Sequence, residues 1–169
     1  MLNDTGQTGD MNHHDRREKI VKLRAIMPRL SGATEWLNGE VTREQLVGKT
    51  PTLIHFWSVS CYLCKKAMPE VNNLRDRYRD SLQVVAVHMP RTEEDENIEN
   101  VKRDAAKYQI TQPILIDGQL EIKAAFENLY VPAYYLFDHT GVLRHYQAGG
   151  SLKMLEKRID RIMSEQRIK

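Results

Sequence analysis

The apolar positions of the chain change their period several times, and each change predicts an element. Thr52-Leu53-Ile54-His55-Phe56-Trp57 is apolar almost throughout, which predicts a buried strand over 52–58. Directly afterwards Ala67, Val71, Leu74 and Tyr78 recur at steps of three or four, with Lys65, Glu70, Asn73 and Arg77 elsewhere on the cylinder, so that segment reads as a helix. A second buried strand follows within 81–89, carried by Leu82-Gln83-Val84-Val85-Ala86-Val87. Ile98, Val101, Ala105 and Tyr108 then mark one face of a second helix over 97–108. A short apolar run over 113–117 precedes a shorter helix over 119–128.

The last third changes character. Residues 133–137 are rich in aromatics and end in Asp138-His139-Thr140-Gly141, a tight-turn signal, before a strand pattern resumes over 142–148; this predicts a hairpin. Beyond Gly149-Gly150, the residues Leu152, Leu155, Ile159 and Ile162 form the apolar stripe of a terminal helix, opposite a solvated face of Lys153, Lys157 and Arg161. At the other end, residues 1–15 are polar and predict a disordered tail, in which the pair His13-His14 lacks the further ligands a metal site needs. Ile20, Leu23 and Met27 predict a short helix over 16–27, closed by Pro28. Between Leu30 and Lys49 the pattern is broken: Gly39-Glu40 reads as a hairpin turn and Gly48-Lys49-Thr50-Pro51 as a loop into the first buried strand. The expected organisation is a tail and short helix over 1–29 and one folded domain over 30–169. Its class is α/β, with a central mixed β-sheet flanked by helices on both faces.

Composition narrows the function classes. With 169 residues, 41% of them hydrophobic, the chain is long enough for one core, and a formal charge of +2 without a basic block gives no reason to expect nucleic acid. No stretch approaches the roughly eighteen apolar residues of a membrane span. The opening Met1-Leu2-Asn3-Asp4-Thr5-Gly6 lacks a positive leader and an apolar core, so a cytoplasmic protein is expected, although a trimmed exported form given a start Met would look the same.

Cys61 and Cys64 are the only cysteines, and they sit between the first buried strand and the helix after it. In a reducing compartment that spacing points to catalysis or metal rather than a staple, and two thiolates without further ligands rarely complete a zinc site. At a helix start, free backbone N–H groups and the helix dipole favour thiolate, the nucleophilic form. Cys61 is therefore the expected attacking group, and Cys64, one turn deeper, the resolving one. Lys65 and Lys66 add positive charge nearby, though exposed lysines are commonly only solvated. Pro69 is expected to bend the helix.

Gly48-Lys49, Ile54-His55-Phe56-Trp57, Cys61-x-x-Cys64, Lys65-Lys66-x-Met68-Pro69, Val131-Pro132 and Asp138-x-x-Gly141 stand in the order and approximate spacing of the thioredoxin-like superfamily. From about residue 30 onward the chain most resembles its TlpA/ResA branch of thiol–disulfide oxidoreductases, whose core is similar to the alkyl hydroperoxide reductase/thiol-specific antioxidant group. The resemblance implies a thioredoxin-like three-layer fold with an N-terminal extension. It implies exchange with protein disulfides, an upstream dithiol reductant, no organic cofactor and no metal; the expected form is a monomer acting chiefly as a reductant. By the same resemblance Pro132 is cis and lies against the cysteines, Val131 pairs with an extended substrate segment, and Trp57 supports the site. Tyr62 and Leu63, inside the motif, join Val131 as the expected substrate surface.

This chain departs from the family pattern at four places. Relatives commonly carry a proline where Tyr62-Leu63 stands, a glutamate where Ala67 stands, and a tryptophan where Ser60 stands; Tyr62 partly replaces that aromatic lid. His55 occupies a strand position that is a buried aspartate in thioredoxins and often an asparagine in this branch. It has two readings, a proton relay to Cys64 or a neutral hydrogen-bonded core residue. His88 likewise reads either as a supporting group or as an ordinary strand-end residue. The block Glu93-Glu94-Asp95-Glu96 reads as a variable loop complementing a helix N-terminus. Two other functions compete with exchange. A thiol peroxidase is suggested by Ser58 but opposed by Ile54, where a proline is expected. A binding module would present Tyr62, Leu63 and Val131 with vestigial cysteines.

Overall fold

The structure is a computed structural model that describes residues 23–168. The tail over 1–15, its histidine pair and most of the helix expected over 16–27 lie outside the described residues. Strand β2 (Thr52–Trp57) is buried at all six positions. It pairs in parallel with β3 (Gln83–His88) and antiparallel with β5 (Ala133–Phe137). A strand covered on both faces has no polar alternation to show, which is why its sequence is a nearly continuous apolar run. β4 (Ile114–Ile116) extends the sheet in parallel beside β3, and β1 (Glu35–Leu37) closes that edge antiparallel to β4. β6 (Leu143–Ala148) forms the expected hairpin with β5, giving a six-stranded mixed sheet in the order β1-β4-β3-β2-β5-β6.

Helices cover both faces. Leu53 and Trp57 of β2 join a cluster with Cys64, Met68, Val71 and Leu74 of α2 (Tyr62–Arg77). The same cluster takes Val101 and Ala105 of α4 (Ile98–Lys107) and Leu155, Ile159 and Ile162 of α6 (Lys153–Ile168). Ile54 and Phe56 point the other way, toward Leu46 of α1 (Arg43–Leu46), Ile122 of α5 (Glu121–Ala125), and Phe126. The result is the three-layer thioredoxin-like fold. No helix among the described residues is long and apolar enough to cross a membrane.

The departures from expectation are local. Leu23 to Met27 is not helical: Ile26 bridges antiparallel to Val142, and the Leu143 N–H donates to the Ala25 carbonyl at 2.8 Å. Backbone pairing with the β5–β6 hairpin outweighs a helical pattern of only three residues. Gly39 has φ 106°, but Gly39-Glu40 makes no hairpin, because β1 pairs with β4 and the Asn38 amide donates to the Ile110 carbonyl at 2.8 Å. α1 and α3 (Glu93–Glu96) are single turns, too short for periodicity to reveal. On α2 the buried stripe runs through Met68, with Ala67 only half-buried beside it. Gly141 has φ 82° in the hairpin turn, and a Cβ there would meet the Val47 side chain at 2.8 Å.

Ile159 is 0% exposed at the centre of the α6 stripe. Ile159→Ala is expected to cost about 2–5 kcal/mol in denaturant unfolding, and Lys157→Ala on the exposed face less than about 0.5 kcal/mol. Equal losses would mean that α6 is not packed on the sheet.

Candidate active site

β2 delivers the chain at Trp57 into a three-residue loop, Ser58-Val59-Ser60, and Cys61 follows as the N-cap of α2. The N-cap residue has extended backbone, φ −95° and ψ 100°, and its Sγ accepts the Cys64 N–H at 3.1 Å. Cys61 and Cys64 are joined as a disulfide with Cα atoms 5.3 Å apart, and both are buried. A sulfur in the N-cap position faces the unpaired N–H groups of the first turn, so reduction leaves it where a thiolate is favoured.

Buried polar groups hold the loop from behind. The Ser58 hydroxyl donates to the Met89 carbonyl, so it is committed to the scaffold. His88, at the end of β3, accepts the Val59 N–H on Nε2 at 3.2 Å and stands edge-on to Trp57 with ring centroids 4.9 Å apart. Asp95 of α3 accepts from the Ser60 N–H at 2.7 Å and the Ser60 hydroxyl at 2.8 Å. Burial works to raise the Asp95 pKa, but bonds from the Arg91, Ser60 and Thr92 N–H groups and the Ser60 hydroxyl outweigh it and hold the carboxyl below its ordinary value. Burial pushes His88 down to about 4, against opposing pulls from Asp95 and Asp104. The ring is therefore neutral, and because Nε2 accepts, its proton is on Nδ1.

His55 lies between Leu53 and Trp57 on β2, so alternation puts it on the face that carries Cys64 and Met68. Its Nε2 is 2.8 Å from Nε2 of Gln112, whose Oε1 accepts from Arg75 at 2.7 Å. With the oxygen of that amide taken by Arg75, its nitrogen donates to the ring, and the His55 proton is on Nδ1. Burial first, and the Arg75 charge second, push the pKa to about 3. Lys65 points to α4, where its Nζ lies 3.1 Å from the buried Asp104 carboxylate; its charge is shared there and not free beside Cys61. Trp57 is buried, and its indole N–H has no hydrogen-bond partner among the described residues.

The second strand beside the site is β5. Register pairs Phe56 with Ala133, which brings Pro132 to the same end of the sheet as Cys61, and the Val131–Pro132 peptide is cis. Tyr62 and Leu63 are 74% and 60% exposed at the start of α2. Leu129 and Tyr130, not singled out in the sequence, are also exposed, next to the half-buried Val131. Asn128 presents them: fully buried, it donates to the Tyr130 carbonyl at 2.8 Å and accepts from the Tyr135 hydroxyl at 3.0 Å. Asp95, Gln112 and Asn128 were all missed in the sequence. For Leu129 and Tyr130 the sequence signal is their own apolar pair directly before Val131-Pro132. Among the described residues, no group of three or more His, Cys, Asp or Glu side chains is placed to hold a metal ion.

Both buried rings are neutral when folded and ordinary imidazoles when unfolded, so below about pH 6.5 the unfolded chain takes up protons first. The stability from this source is whole above that pH and is lost as the pH falls toward about 4 for His88 and about 3 for His55. Ordinary carboxylates titrate mainly below about pH 4.5. The denaturation midpoint is therefore expected to fall between pH 6.5 and 4.5, with a shallower slope in His55→Gln. Identical slopes would show that His55 is not held neutral.

The sequence matches the model of the AhpC/TSA family over residues 25–146. The thiol-disulfide oxidoreductase YkuV of Bacillus subtilis (strain 168) is 62% identical over 146 residues, which span 86% of this chain and 99% of YkuV. The thioredoxin-like protein YneN of the same organism is 33% identical over 125 residues, covering 73% of this chain and 72% of YneN. Among solved structures, a thioredoxin-like protein in its oxidised form, determined in solution, superposes with a TM-score of 0.80 at 63% identity, over 85% of this chain and 98% of that one. With the family model matched across most of the fold, the chain belongs to the AhpC/TSA family of thioredoxin-like proteins.

Proposed function

We propose that the chain is a thiol–disulfide oxidoreductase that reduces or exchanges protein disulfides through Cys61 and Cys64. The observation that carries this is the Cys61–Cys64 disulfide at the α2 N-terminus, with the Cys61 sulfur itself as the N-cap acceptor. Similarity to YkuV, at 62% identity, supports the same reading.

In the reduced protein the Cys61 thiolate attacks one sulfur of a substrate disulfide. A mixed disulfide forms, and the other substrate sulfur leaves as a thiolate that takes up a proton. Cys64 then loses its proton and attacks the Cys61 sulfur, releasing the second substrate thiolate. Two electrons have moved to the substrate, and the intramolecular disulfide is restored. An upstream dithiol reverses the last state by the same exchange.

Exposed Tyr62 and Leu63, with Val131 before the cis Pro132, supply the substrate surface. Trp57 and His55 support it from β2, and Lys65 anchors the start of α2 to Asp104. The chain works as a TlpA-like reductant, as a monomer, in the cytoplasm. Both cysteines serve the active pair, leaving none for a structural staple, as suits a reducing compartment. A reduction potential near thioredoxin's, about −270 mV, supports the reductant direction, and one near about −120 mV reverses it.

Cys61→Ser is expected to lower disulfide reductase turnover at least about 100-fold. Cys64→Ser is expected to retain client proteins as mixed disulfides that a small-molecule thiol releases. If Cys64→Ser retained no mixed disulfide from cell extract while folded normally, protein disulfides would not be the substrate.

A further inference from the structure

Asp95 is the third residue of an acidic block that reads in sequence as a variable loop, yet it is 2% exposed. Its Oδ1 accepts the Ser60 N–H at 2.7 Å. Its Oδ2 accepts the Ser60 hydroxyl at 2.8 Å, the Arg91 N–H at 2.8 Å and the Thr92 N–H at 3.1 Å. The Ser60 hydroxyl in turn accepts from the Arg91 guanidinium at 3.1 Å. One carboxylate and one guanidinium therefore meet on the hydroxyl of the residue that immediately precedes Cys61. The β3–α4 connection supplies both charges, so it is bonded to the active-site loop and not a free excursion.

We infer that Asp95 is a positioning residue that fixes the loop carrying Cys61 and, opposed by Arg91, sets how readily the Cys61 thiol ionises. The inference rests on Cys61 being the nucleophile of the function proposed above. Asp95 anchors Ser60 by both its backbone and its side chain, which keeps Cys61 in the N-cap position. Its negative charge disfavours the thiolate, and the Arg91 charge favours it. The other groups around Cys61 leave this couple as the adjustable charge. His55 on β2 and His88 on β3 are neutral near pH 7. Lys65 on α2 is paired with Asp104 on α4, and Lys66 is exposed. The loop over 128–132 carries no Asp, Glu, Lys or Arg.

A unit charge within about 10 Å, in a medium between water and a protein surface, changes an ionisation constant about two- to fourfold. The test follows the alkylation rate of Cys61 by iodoacetamide against pH in the reduced full-length chain, with the modified cysteine identified by mass spectrometry. Asp95→Asn is expected to raise the Cys61 ionisation constant about two- to fourfold, and Arg91→Ala to lower it by a similar factor. The equilibrium with glutathione should move in step, Asp95→Asn becoming the more oxidising protein because a stabilised thiolate stabilises the reduced form. A merely structural role would lower the unfolding midpoint of Asp95→Asn without changing the ionisation constant, and that result overturns the inference. So do shifts in the same direction in both variants. Arg91 is exposed, so Arg91→Ala keeps the test open should Asp95→Asn not fold. Because alkylation needs no client, opposite shifts in a protein that reduces no disulfide would reject the proposed function and leave this inference standing.

Discussion

Strand β2 is buried on both faces, and a buried strand must have its N–H and C=O groups paired along both edges. That requirement places β3 on one side and β5 on the other, in registers that pair Trp57 with His88 and Phe56 with Ala133. The end of β2 therefore fixes three things together: the loop into Cys61, the histidine that binds that loop, and the cis proline at the same end of the sheet. Cysteines at the same spacing on an edge strand would lack one of the two flanks. The fold places the redox pair through backbone pairing, before any side-chain chemistry acts.

Side chains then fix the loop, and they do so with polar groups taken out of water. Burying a carboxylate or an amide is costly unless its bonding capacity is used. Asp95 takes four hydrogen bonds, Asn128 spans the loop before Pro132, and Asp117 accepts the Ile122 and Lys123 N–H groups at 2.9 and 2.8 Å. Each of these residues ties a surface loop or helix start to the same end of the sheet. Apolar packing alone sets no direction for a loop. A satisfied buried polar group does, since only one arrangement meets its bonds.

What was legible in the sequence follows the same division. The buried strands, α2, α4, α6 and the β5–β6 hairpin each announce themselves through many residues, because hydrophobic burial repeats along an element. The disulfide pair and Val131-Pro132 are legible from local context and resemblance. Asp95 is not, because its neighbours Glu93, Glu94 and Glu96 are exposed and only the turn of α3 distinguishes it from them. Gln112 and Arg75 are separated by 37 positions and meet only through the fold. Ile26 joins Val142 for the same reason, through a pairing between distant segments that no local period encodes. One-turn helices and three-residue strands fall below the length at which any period can be read.

The distribution of charge around Cys61 shows how little of the electrostatics follows from proximity in sequence. Lys65, four positions after Cys61, is drawn away to Asp104 on another helix. Asp95, far along the chain, lies one residue from the sulfur through Ser60. The two histidines of the neighbouring strands are held neutral by burial, so they shape the site through hydrogen bonding near neutral pH. The helix N-terminus supplies a favourable field to any sulfur placed there. What distinguishes one such site from another is the set of charges its loops bring to that field, and in this chain the connection between β3 and α4 brings a carboxylate and a guanidinium to the residue before Cys61. That connection lies outside the sheet's pairing, and its bonds to Ser60 couple its charges to the loop that carries Cys61.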